Sequence, residues 1–386
     1  MAPTVRRTAG AGGVSDAIAL FLPSLSGGGA ERNVLRLGAA LSASGYTVVV
    51  VVADARGPNR AWVPDDVELV DLGARRAATA LVPLARFLRR RRPGVLVSAL
   101  NSANVVALAA RELARVEVPV VVSERNTITA WKAGAEGFRR RHVIPWLVRR
   151  LYPRADRLVA VSDGAARDLA RFLDLPEEDV VAIPNPVVDP RLTQLAADPL
   201  PTRWDAWIGD APLVLSVGRL TRQKDHGLLL RAYAVVRQRM PQARLAILGT
   251  GDTISEIERL RDELELRDTV LLPGFDDNPY RWMARAQVVA LTSRYEGLPT
   301  VLIEALACGA RVVATDCPSG PSEILAGGRW GQLVPVGDVD GFADALLASL
   351  RSGRWPAPPT AALDRYRVER VADEYRALID PMVAAG

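Results

Sequence analysis

The sequence predicts an α/β fold of two doubly wound, parallel-sheet domains facing a shared cleft, and three observations carry that prediction. Apolar runs rich in β-branched residues recur along the 386-residue chain. Helical stretches separate most of them. A proline-rich break near residue 190 parts them into two series. Runs that stay apolar throughout belong to strands buried on both faces, as in a parallel sheet covered by helices on each side.

The first series comprises AIALFL (17–22), YTVVVVVA (46–53), GVLVSAL (94–100), VPVVVSE (118–124) and DRLVAVS (156–162). Helical patterns at 30–45 and 102–116 lie between them. Residues 179–190, DVVAIPNPVVDP, end in a proline cluster and are expected to form a hinge. The second series comprises PLVLSVG (212–218), ARLAILG (243–249), TVLLPG (269–274), QVVALTS (287–293), RVVATD (311–316) and GQLVPVG (331–337). A helical pattern at 361–380 closes the chain. The expected division is a disordered leader over 1–15, a first domain over 16–190, a second over 191–360, and a C-terminal helix over 361–386 able to pack back on the first. Sheets of this kind bind ligands beyond the carboxyl ends of their strands, so the two domains should enclose a cleft.

Composition narrows the class. Hydrophobic residues are 49% and charged residues 24%, ordinary for a soluble globular chain. No run of about 18 apolar residues suggests a membrane span. Arginines precede the first apolar stretch, but that stretch is short and runs into a glycine loop, so a leader and first strand fit better than an export signal. Cys308 and Cys317 have no Cys or His cluster around them, which supports neither a disulfide framework nor a zinc site, and a cytoplasmic setting is the expectation. Net charge is +5, and the excess is uneven. Residues 138–157, FRRRHVIPWLVRRLYPRADR, carry seven arginines, among them Arg139, Arg140, Arg141, Arg149 and Arg150, mixed with Phe138, Trp146 and aliphatic residues. Such interleaving suits an anionic membrane surface, a nucleic acid, or a helix with a solvated basic face. No nucleic-acid module accompanies it, so no nucleic-acid partner is expected.

Several short stretches carry chemistry. EGLPTVLIE (296–304) places two glutamates eight positions apart. At about 100° per residue they do not share one helical face. Pro299 suits the first turn of a helix, with Glu296 in the loop before it and Glu304 inside it. The helix N-terminus between them is an anion seat. A phosphorylated ligand with hydroxyl groups on both sides, such as a nucleotide sugar, fits that arrangement. SVGRLTRQKD (216–225) ends a strand at Gly218 and sets Arg219 and Lys224 where a diphosphate leaving group would be neutralised; two surface cations are the plainer alternative. LLPGFDDNPYRWMARA (271–286) offers Phe275 to a planar base, or simply turns. TDCPSGPSEIL (315–325) follows another strand, as ligand contact or simple connection. In the first half, SLSGGGAERN (24–33) puts Gly27, Gly28 and Gly29 before a helix, and SERNT (123–127) ends a strand so that Glu124, Arg125 and Asn126 should reach the cleft or solvent. The spacing of a dinucleotide fingerprint is absent from the glycine run.

Together these residues resemble the retaining glycosyltransferases of family 4, which have the GT-B fold. The likeness spans nearly the whole chain: GGGAE at 27–31, VGRL at 217–220 with a lysine downstream, and E-x7-E ending at Glu304. The resemblance implies that the first domain binds the acceptor and the second the nucleotide sugar. It implies that Arg219 and Lys224 hold the donor diphosphate, that Glu296 lies by the reacting sugar, and that Glu304 bonds the ribose. Gly218, Phe275, Gly297, Leu298, Pro299 and Thr300 would line the donor. Gly27, Gly28, Gly29, Glu124, Arg125 and Asn126 would face it from the acceptor side. PSGPSEIL and SERN resemble the branch that builds lipid-linked oligosaccharides and surface polysaccharides, often from UDP-sugars. The implied partners are a nucleotide sugar, a glycan or polyprenyl-linked acceptor and an anionic membrane surface on the inner face of the cell membrane, with no cofactor and no metal. A two-carboxylate displacement would need a nucleophile on the opposite face of the sugar, and the sequence identifies none; the resemblance itself implies front-face departure, with the leaving phosphate oxygen helping to take the acceptor proton. His142 and His226 are the two histidines; His142, in the basic stretch, reads as a surface or acceptor-side residue. An epimerase of the same fold, a transferase with a soluble acceptor, a sugar-binding protein and a dehydrogenase are the competing classes. The glutamate pair with VGRL favours transfer.

Overall fold

The computed structural model describes residues 15–134 and 137–384; all of the expected leader but Ser15 lies outside the described residues. The first sheet has seven parallel strands: β1 (Ser15–Ser24), β2 (Val48–Asp54), β3 (Glu68–Asp71), β4 (Pro93–Ala99), β5 (Val120–Glu124), β6 (Arg157–Ala160) and β7 (Val180–Ala182), in the order β3-β2-β1-β4-β5-β6-β7. The second has six: β8 (Leu213–Val217), β9 (Arg244–Leu248), β10 (Val270–Gly274), β11 (Val288–Leu291), β12 (Arg311–Thr315) and β13 (Gln332–Val334), in the order β10-β9-β8-β11-β12-β13. Both are doubly wound sheets of the GT-B type. The order reverses at β1 and at β8, and each of these strands runs straight into a glycine-containing loop. Those loops open the two crevices where such sheets bind ligands.

Burial explains why the strands read as they did. Residues 48–53 and 93–99 are buried without alternation, because helices cover both faces. In β1, Ile18 pairs with Val48 on one side and Val95 on the other, which seats the strand centrally. Two strands escaped the sequence reading. β3 is a half-exposed edge strand, and β7 is three residues long at the start of the supposed hinge.

The C-terminal helix Val368–Ala384 lies against the helix Gly29–Ala43 and β4 of the first sheet. Tyr375 OH lies 3.2 Å from Ser123 Oγ, and Tyr46 OH donates to Asp380. The linker is tied to the segment before it, since the N–H groups of Val187 and Val188 both donate to Tyr366 O at 3.0 Å. The two domains are thus joined by two crossing segments of chain rather than by one.

Candidate active site

β8 ends at Val217, and the loop after it carries Gly218, exposed Arg219 and Lys224 before the helix His226–Arg239. Lys224 Nζ donates to Glu296 Oε1 at 2.6 Å. Ser293 Oγ donates to the same oxygen at 2.6 Å. Glu296 is 6% exposed, so this ion pair sits almost out of water. Glu296 lies in the loop after β11, and the helix Thr300–Ala307 follows it. Pro299 stands at the N-cap of that helix rather than in its first turn, and no side chain caps the end. The Leu302 N–H turns back to Pro299 O at 3.0 Å, which leaves the N–H groups of Thr300 and Val301 to face an anion. Glu304, one turn on, is buried, and its Oε1 accepts a 3.0 Å hydrogen bond from Tyr280 OH.

The first domain meets this surface closely. Gly27, at φ 96°, lies where a Cβ would come within 2.9 Å of Pro58 Cγ and 3.5 Å of the Phe275 ring. A Cβ on Gly29 would lie 3.6 Å from Thr300 Oγ1. Gly28 is the N-cap of the helix Gly29–Ala43. The glycine loop thus stands against the phenylalanine and helix start proposed for the donor. Glu31, in the first turn, has a carboxyl held above its usual range by burial, with Arg219 and Arg125 among the groups that pull the other way.

The SERNT loop joins the domains. Asn126 forms an antiparallel β-bridge with Gly297. Thr127 Oγ1 donates to Glu296 O at 3.1 Å, and Ser162 Oγ and Ser319 Oγ donate to Gly297 O at 2.8 and 3.0 Å. Arg125 is buried and donates to Asn185. Glu124 corrects the sequence reading, because its side chain turns away from the cleft. It is fully buried; Oε1 accepts from the Arg125 and Asn126 N–H groups at 2.9 and 3.2 Å, and Oε2 from Tyr152 OH at 3.0 Å. Burial pushes its carboxyl up to about 7. The last residue of β5 cannot reach the cleft while it caps its own loop.

The structure therefore gathers Lys224, Glu296, Gly297, Pro299, Thr300, Phe275, Gly27, Gly29 and Asn126 along one seam. It leaves Arg139, Arg141, Arg149 and Arg150 outside, exposed on the run Arg139–Val143 and the helix Ile144–Leu151, while exposed Arg140 lies close enough to Tyr295, the neighbour of Glu296, to act on its hydroxyl. Beside them Phe138 is 75% and Trp146 63% exposed, while Pro145, Val148 and Leu151 are buried. Next to the seam, a cavity of about 440 Å³ is lined by Thr127, Thr129, Arg167, Arg171, Pro318 and Ser319. Arg32, Arg36, Tyr280, Ser162 and Ser319 were not singled out from the sequence. The one available signal was the pair of arginines four apart on a helix rich in apolar residues.

Two family models match the chain: a "Glycosyl transferase 4-like domain" over residues 28–186 and "Glycosyl transferases group 1" over 211–352. The chain is 34% identical over 257 residues to the N-acetylgalactosamine-N,N'-diacetylbacillosaminyl-diphospho-undecaprenol 4-alpha-N-acetylgalactosaminyltransferase of Campylobacter jejuni, covering 66% of each chain and thus just under two thirds of that relative. It is 26% identical over 306 residues to the amylovoran biosynthesis glycosyltransferase AmsD of Erwinia amylovora, covering 77% of this chain and 80% of that one. The solved structure of Anabaena HepE in complex with UDP and glucose superposes with a TM-score of 0.75 over 95% of this chain and 99% of that one; at 19% identity this speaks to the fold alone. The matched segments coincide with the two sheets and the loops that meet at the seam, and the chain belongs to the group 1, family-4-like glycosyltransferases of GT-B fold.

Proposed function

We propose that the protein transfers a hexose or N-acetylhexosamine from a UDP-sugar to a lipid-linked or polysaccharide-precursor hydroxyl, with retention at the anomeric carbon and at the inner face of the cell membrane. The observation that carries this reading is the buried Lys224–Glu296 pair at 2.6 Å, beside an uncapped helix start and against the glycine loop of the other domain. A diphosphate seated at Pro299 and Thr300 finds helix N–H groups, with Arg219 and Lys224 as cations on the neighbouring loop. Charge growing on the leaving diphosphate is offset there by the chain's own residues, so the reading needs no metal. Glu296 faces the reacting sugar, and the departing phosphate oxygen helps to take the acceptor proton on the same face.

UDP is favoured because the PSGPSEIL and SERN stretches resemble the branch of family 4 that often uses UDP-sugars. A lipid-diphosphate acceptor is favoured by the name of the Campylobacter relative and by the cavity beside the seam, where Arg167 and Arg171 would meet an anionic acceptor. Exposed Phe138 and Trp146 among the arginines fit a surface that dips into an anionic bilayer. Among the described residues no helix is long and apolar enough to cross a membrane. Calorimetric titration with UDP, GDP and ADP in EDTA tests the reading. Binding of UDP in preference to the others supports it, and binding of none refutes the nucleotide-sugar assignment.

A further inference from the structure

We infer that Arg36, standing on the acceptor-side domain, is a positioning residue for the donor ribose: with Tyr280 it holds one oxygen of Glu304 so that only the other faces the ribose hydroxyls. The inference rests on the reading of Glu304 as the ribose ligand. It adds that recognition of the ribose is completed by the opposite domain, and hence only when the cleft is shut.

The geometry is unusually determinate. Arg36 lies midway along the helix Gly29–Ala43 and is 4% exposed. Its Nη2 donates to Tyr280 OH at 2.9 Å, and Arg32 Nη1 donates to the same hydroxyl at 3.2 Å. A phenol oxygen that accepts twice has one proton left to give. That proton goes to Glu304 Oε1 at 3.0 Å. Arg36 Nη1 donates to Asn33 Oδ1 at 3.3 Å and forms an ion pair with the same Glu304 Oε1 at 3.6 Å, while its Nε lies 3.1 Å from Asp189 Oδ2 in the linker. Trp62 closes the far side, with the Arg36 and Arg32 guanidinium carbons 5.2 and 4.5 Å from its ring centroid. Glu304 Oε1 thus accepts one hydrogen bond and lies in one ion pair, while Oε2 has no partner among the described residues. Two cations of the first domain and two anions, Glu304 and Asp189, balance in a nearly dry interface. A carboxylate so held presents one oxygen in one direction, and its two lone pairs can accept from both hydroxyls of a diol.

The arrangement accounts for two arginines buried on a helix that also buries Val34, Leu35, Leu37 and Leu41. Removing Arg36 leaves Glu304 buried beside a tyrosine alone, free to rotate and less complementary to the hydroxyls.

The test compares UDP with 2′,3′-dideoxy-UDP by calorimetry, in wild type, Arg36→Gln and Tyr280→Phe. Wild type should bind UDP at least about tenfold more tightly than the analogue, the difference one well-made hydrogen-bonding group supplies. Arg36→Gln should bind UDP about tenfold more weakly and the analogue unchanged, so that the discrimination collapses. Tyr280→Phe removes only a hydroxyl, keeps the ring packing, and should show the same pattern should Arg36→Gln fail to fold. A parallel loss for both ligands, or undiminished discrimination in the variants, overturns the inference while leaving Glu304 as the ribose ligand. Equal affinities in the wild type overturn the ribose reading and the inference with it. Failure of wild type to bind UDP refutes the nucleotide assignment itself.

Discussion

Gly297→Ala should cripple turnover while leaving each domain folded. A Cβ at Gly297 would lie 2.3 Å from Arg125 O, 2.8 Å from Arg125 C and 2.9 Å from Asn126 Cα, all backbone atoms of the opposite domain. No rotamer change can relieve a clash between backbone and Cβ. Restoring ordinary contact, at 3.4 Å or more, requires the domains to separate by about 1 Å at this point. Separation stretches the Asn126–Gly297 bridge and the hydrogen bonds that Thr127 and Ser162 of the first domain donate to the Glu296 and Gly297 carbonyls. At about 1 kcal/mol each, those two side-chain bonds put closure at risk by roughly 2 kcal/mol. A displacement of about 1 Å at a reacting centre costs on the order of 100-fold in rate. The assay is sugar transfer under saturating donor, alongside calorimetric binding of UDP and thermal melting. kcat should fall about 100-fold, UDP affinity by less than tenfold, and the melting temperature by only a few degrees. A variant with wild-type kcat would refute the claim that closure across this bridge accompanies transfer.

Lys224→Ala should abolish most turnover by removing charge from the leaving diphosphate and stranding Glu296; wild-type rates would remove Lys224 from the site. Glu124 gives a pH signature: its folded carboxyl titrates near 7, above the ordinary 4.5. Between those values the folded chain keeps a proton that the unfolded chain has lost, so stability falls as pH rises through that window and levels off above it, by roughly 3 kcal/mol in all. Glu124→Gln should flatten that part of the melting-temperature profile, and an unchanged slope would clear Glu124 of the effect. Replacing Arg149 and Arg150 with Glu should release the protein from liposomes containing anionic lipid; unchanged sedimentation would remove the membrane proposal.

The fold was legible because burial on two faces writes itself as continuous apolar runs, and all six strands of the second sheet lie within such runs. β3 and β7 were not legible, one because an edge strand is half exposed and one because three residues carry no period. Around the seam, glycines and a proline marked the loops, since backbone approach and a helix start require those residue types. Side-chain direction was another matter. Glu124 ends a strand at the cleft yet points into the core, because two N–H groups and a tyrosine hydroxyl claim its oxygens. The meeting of Arg36 with Tyr280, 244 positions apart, depends on how the domains face each other, which no local pattern encodes.

The 2.6 Å contact between Lys224 and Glu296 also bears on what the protein ignores. A cation that already holds a carboxylate gives small anions little reason to enter. Inorganic phosphate would exchange one counterion for another and strand Glu296, whereas a nucleoside diphosphate sugar brings a second phosphate to the helix start and hydroxyls for the carboxylates. On the proposed reading, the pair would act as a built-in competitor, favouring the whole donor over the simple salts of its surroundings.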